Sequence, residues 1–155
     1  MKESLQNAKQ ELKRADHLIF VSLKYTRTVD VIKSIIERLI NCLDQVMNAL
    51  LNHAKEQKKI TELPTLARIK AEVCKSLYAH DPTIQNYIAF YQLLRKIDKA
   101  QFERTQEYRR HVTMTAHLDE GHVELTIDII QDYFHRTKEF IIYVEKLLIG
   151  EHEQQ

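Results

Sequence analysis

The chain has 155 residues, with 23 basic and 22 acidic side chains, a formal net charge of +1, and apolar residues at 44%. A chain of this length folds as one domain, 1–155, and hides about 70% of its extended-chain surface. The charge balance excludes a polycationic binder of nucleic acid or membrane, so any basic site has to be local.

Two glycines and two prolines leave little material for hairpins or linkers, and the composition suits a helix-rich domain. The opening MKESLQNAKQELKRAD is too polar for a secretory signal, and no run approaches the ~20 apolar residues of a membrane span. A cytoplasmic protein without membrane contact is expected. Cys42 and Cys74 lack CxxC spacing and read as buried reduced thiols.

Helix one is predicted over about 3–24, where Leu5, Ala8, Leu12, Ala15, Ile19 and Ser22 recur at spacings of three and four. A short turn at 25–28 follows, with Thr28 as N-cap and Asp30 favoured in the next first turn. Helix two, about 29–58, carries a stripe of Ile32, Ile36, Leu39, Leu43, Val46 and Leu50, thickened by Ile35, Ile40, Met47 and Leu51. A stripe this wide needs more than one neighbour, hence a bundle. The polar run 53–59 reads as its solvated end.

Pro64 breaks the chain and opens helix three, about 64–79, with Leu66, Ile69, Val73 and Leu77 inward. Asp81 caps helix four and Pro82 starts it, with Ile84, Tyr87, Ile88, Tyr91 and Leu94 on one side as far as about Lys99. The closing helix, about 122–149, sets Val123, Ile127, Ile130, Phe134, Thr137, Ile141, Val144 and Leu148 in near-heptad spacing. Gly150 would cap it, and 151–155 would fray. The expected fold is all-α: an antiparallel bundle of about five helices, with the first, second and last forming the core.

Ahead of the closing helix stands ERTQEYRRHVTMTAHLDEGH, residues 103–122, with three of the eight histidines. Read as a helix over 103–116, it puts residues seven apart on one side, ~10.5 Å along the axis. Two Arg–x6–His pairs have that spacing, Arg104 with His111 and Arg110 with His117. An arginine can neutralise phosphoryl oxygens while a histidine moves a proton. Lys99, Arg104, Arg109 and Tyr108 are the accompanying RNA-binding candidates, three cations and a stacking surface. The same spacing also fits a solvated helix face, where Glu103 and Glu107 alternate with the arginines.

A bundle with long first, second and closing helices, and Arg110-His111-x5-His117 just before the last one, resembles the HEPN (higher eukaryotes and prokaryotes nucleotide-binding) family. The segment DIIQDYFHRTKEFIIYVEKLL is similar in texture to that family's last helix. The resemblance implies a homodimer whose motifs meet across the interface. It also implies RNA as ligand, metal-independent endoribonuclease activity in many members, and a nucleotidyltransferase-like antitoxin partner for some. It would put Arg110 on the scissile phosphate, make His117 the acid/base, and give His111 a role in supporting the loop.

No metal or cofactor is called for. A di-iron bundle needs Glu-x-x-His on two helices, and the chain has none; Asp132-Tyr133-Phe134-His135 is the nearest imitation. Phosphate loops, nucleophile elbows and His-Glu-x-x-His are absent too. The competing reading is a non-catalytic helical interaction module, a homodimer or a partner-protein binder, argued from the wide apolar faces of helix two and the last helix.

Overall fold

The computed structural model describes residues Met1–Glu153, with side chains as far as Glu151. In order the chain forms α1 (Lys2–His17), a π-helical turn (Leu18–Ser22), α2 (Leu23–Tyr25), α3 (Val29–Glu56), α4 (Ala67–Leu77) and α5 (Pro82–Lys99). Then follow β1 (Gln101–Thr105), β2 (Thr113–Leu118), β3 (Gly121–Leu125) and α6 (Ile127–Glu153). The mostly helical expectation holds. The all-α one does not, because an antiparallel three-stranded sheet, ordered β1-β2-β3, occupies the stretch read as helix.

Val112, Met114 and Ala116 are buried and alternate with more exposed Thr113, Thr115 and His117. That is the period of a half-buried strand, and two β-branched threonines add strand preference. The strands β2 and β3 meet with Leu118 opposite Gly121, across Asp119 and Glu120. Gly121 takes φ +137°, a backbone setting that side chains resist. The sheet lays its apolar side on α5 and α3.

Helices α1, α3 and α6 form the centre, as expected, with α1 packed most extensively on α3. Lys9 pairs with Glu145 and Phe20 meets Phe134 edge-on, so α1 and α6 run in opposite directions. His53 near the end of α3 meets Glu151 near the end of α6, so these two run in the same direction. A purely antiparallel bundle is therefore corrected: α3 and α6 are parallel, and the α4–α5–sheet excursion carries the chain back. One contiguous apolar cluster runs through all of them.

The π turn lets α1 keep its stripe. With an extra residue in the turn, burial passes from Ile19 to Leu23 and Ser22 moves half out. The caps are as expected, since Thr28 accepts from the Val31 amide at 3.3 Å and Asp81 from Ile84 at 3.0 Å.

Elsewhere the boundaries move. Helix α4 starts at Ala67, and Leu66 and Ile69 are exposed while Ala71 and Cys74 are buried. His53 is 2% exposed rather than solvated, because α6 passes over it. Gly150 does not stop α6, which runs on through Glu153, so Glu151 is engaged rather than frayed; the rest of that expected tail, Gln154 and Gln155, lies outside the described residues.

Candidate functional site

Residues 106–112 join β1 to β2 and bring the arginine-rich loop against the α2–α3 turn. The Tyr108 amide donates to the Arg27 carbonyl at 2.7 Å. Glu107 Oε2 accepts from the Val29 amide at 3.2 Å, satisfying one of the free N–H groups at the start of α3. Holding this shape puts Gln106 at φ 55° and Tyr108 at φ 65°, left-handed settings that cost a non-glycine residue roughly 1–2 kcal/mol each. The dock to the α2–α3 turn offsets that strain.

The docked loop closes one side of a cavity of about 430 Å³ lined by Arg27, Arg110, His111, Thr126, Ile127 and Asp128. Three separate parts of the chain meet there: the α2–α3 turn, the β1–β2 loop and the start of α6. Among the described residues, the side chains of Arg27, Arg110 and His111 have no ion-pair or hydrogen-bond partner, and the Arg27 Nε is wholly buried without an acceptor. The Thr126 hydroxyl accepts from the Ile129 amide at 3.3 Å, capping α6. The amides of Ile127 and Asp128, at the positive end of that helix, have no intrahelical acceptor. Asp128 is the one carboxylate in the lining. Tyr25 and Tyr108, each two residues before one of the cavity's arginines, are exposed, at 79% and 78%.

The sequence candidates divide between the two ends of β2. Arg110 and His111 enter this cavity, and Tyr108 and Arg109 share their loop and stand exposed. His117 is near the far end of β2, about 13 Å along the strand from Thr113 at ~3.3 Å per residue. Arg110 and His117 therefore do not converge within one chain, because a strand separates them where a helix would have placed them on one side.

His117 Nδ1 lies 2.7 Å from His122 Nδ1, so one ring donates and the other accepts, and its Nε2 is 3.7 Å from Glu103. Lys99 lies on that side too, lining a shallow recess with Lys96, His117 and Glu120. Arg104 is held at 2.9 Å by Asp30, which raises its pKa mainly through that hydrogen bond. It also lies 3.9 Å from Glu107 and over the Phe102 ring, so it braces the loop instead of facing the cavity.

Arg27 is the residue that sequence reasoning missed. The sequence carries no local signal for it beyond an arginine in a helix break. Among the described residues no three His, Cys, Asp or Glu side chains gather as a metal site. No helix is long and apolar enough to cross a membrane among them either. Comparison with protein-family models, curated proteins and solved structures gave no match.

Proposed function

We propose that this is an RNA-binding domain of HEPN-like layout, in which Arg27, Arg110 and His111 hold a phosphate of the RNA. The observation that carries the reading is the convergence of two unpaired guanidiniums and an imidazole on one cavity. Each guanidinium is a rigid fork of donors suited to phosphate oxygens, and charge-assisted bonds of this kind are about twice as strong as neutral ones. Tyr25 and Tyr108 supply the flat surfaces on which unpaired bases stack, and Arg109 adds charge beside them. Single-stranded RNA suits this arrangement better than a duplex, whose bases are not free to stack.

Endoribonuclease activity is the narrower form of the proposal. It requires the homodimer implied by the HEPN resemblance, because only a second copy can bring a His117 to Arg110. A nucleotidyltransferase-like antitoxin belongs to the same resemblance. The alternative, a non-catalytic interaction module, is favoured by Phe20 and Val21, which the π turn leaves more than 40% exposed next to the α6 start.

The test is titration of a single-stranded RNA in EDTA with wild type, Arg110→Gln, His111→Gln and His117→Gln. Arg110→Gln is expected to weaken binding by about tenfold, the loss of one charge-assisted phosphate contact. RNA cleavage lost in both Arg110→Gln and His117→Gln would support the nuclease form. Equal RNA affinity in wild type and Arg110→Gln would sink the whole reading.

A further inference from the structure

Three observations concern what kind of phosphate the cavity accepts. The first is placement. The walls come from the α2–α3 turn, the β1–β2 loop and the α6 start, so a bound group meets the protein on those sides and solvent on the rest. A terminal phosphate has one ester link to accommodate among those walls, and an internal one has two.

The second is charge. Arg27 and Arg110 bring two fixed positive charges and Asp128 one negative charge, and His111 adds a further donor. A phosphate monoester carries between one and two negative charges near neutrality, with a second pKa of about 6, and a phosphodiester carries one. The monoester gains more from the two guanidiniums.

The third is donor number. Arg27 from the turn, Arg110 and His111 from the loop, and the first residues of α6 line the cavity from different directions. A terminal phosphate presents three non-bridging oxygens to such a set and an internal one presents two.

We infer that the Arg27–Arg110–His111 cavity recognises the terminal phosphate monoester of a single-stranded RNA, the chain then leaving across Tyr25 and Tyr108. This rests on the RNA-binding reading above and narrows it to RNA ends. Asp128 tempers the site: its carboxylate repels the incoming dianion and keeps affinity below what two arginines alone would give.

Calorimetric titration in EDTA would use one oligouridylate in three forms: 5′-phosphorylated, 3′-phosphorylated, and hydroxyl at both ends. At least one phosphorylated form is expected to bind about tenfold tighter than the hydroxyl form. Whichever end is preferred identifies the source of the phosphate. Arg110→Gln should erase the preference, and because Arg110 is exposed the variant should keep the wild-type melting curve. Arg27→Gln should do the same wherever its circular dichroism matches wild type. Asp128→Asn should tighten binding of the phosphorylated form.

Equal affinity for all three oligonucleotides would overturn end recognition and leave RNA binding standing. Inorganic phosphate binding as tightly as the phosphorylated oligonucleotide would overturn it in favour of a free-anion site. Failure of every oligonucleotide to bind would overturn the RNA reading as well.

Discussion

The Tyr108 amide donates to the Arg27 carbonyl at 2.7 Å, and this bond joins the first third of the chain to the last. Through it the β1–β2 loop takes its place, and with the loop come Arg110 and His111. Tyr108 holds φ 65° to make the bond, yet its side chain is 78% exposed. The backbone and side chain of this residue therefore serve separate ends.

That separation predicts a variant that parts stability from binding. Tyr108→Gly relieves left-handed strain of roughly 1–2 kcal/mol and gives back about 0.5–1 kcal/mol in chain entropy. The urea midpoint should stay level or rise slightly, while RNA affinity falls with the lost stacking surface. Tyr108→Val should instead lower the midpoint, since a β-branched side chain tolerates positive φ poorly. A large loss of stability in Tyr108→Gly would mean that the ring packs in a way its exposure denies.

A second prediction concerns the far end of the bundle. His53 is buried, with Nε2 2.9 Å from Glu151 Oε2, and Glu151 also approaches the Tyr78 hydroxyl, whose pKa is raised chiefly by burial and then by that carboxylate. The His53 Nε2 and Glu151 Oε2 are close but make no hydrogen bond, and removing His53 leaves a gap in the packing beside a partly buried carboxylate. His53→Ala should cost about 2–4 kcal/mol, and Glu151→Gln, which keeps the shape, about 1 kcal/mol. Chemical denaturation of the two variants measures the difference. Equal costs would show that packing alone matters there.

Alkaline pH supplies a third. Burial pushes the Cys42 and Cys74 thiols from 9.0 up to about 12 and the Tyr91 phenol from 10.0 to about 12. In the unfolded chain these groups ionise near their ordinary values, so above pH ~9 the unfolded state holds fewer protons than the folded one. Stability must then fall as pH rises. Urea midpoints should be level up to about pH 9 and decline steadily towards 12. The native thiols should also resist Ellman's reagent at pH 8 and react once urea unfolds the chain. A midpoint unchanged at pH 11 would show that neither thiol is sealed.

The helices were legible because their evidence is local. Thr28 and Asp81 mark their own helix starts, Pro82 opens α5 where the break pattern places it, and the wide stripe of α3 is visible along its length. The sheet was legible too, in the alternation Val112-Thr113-Met114-Thr115-Ala116, but the Arg–x6–His spacing drew that stretch into a helical frame. A period of two and a period of 3.6 assign opposite neighbours to the same residues. The misreading therefore moved His117 from beside Arg110 to the other end of a strand. The parallel course of α3 and α6 depends on where a long excursion returns, which no local pattern records. Arg27 was out of reach for the same reason, because its neighbours lie some eighty residues or more away in sequence.

The stretch between α3 and α4 around Pro64 is largely exposed and lies between Arg27 and Arg110 in the chain. A single proteolytic nick there would put the two arginines on different fragments, so neither piece alone could own the phosphate cavity. Ligand capture would return only as the halves came back together, and the anion would act as a witness to their reunion.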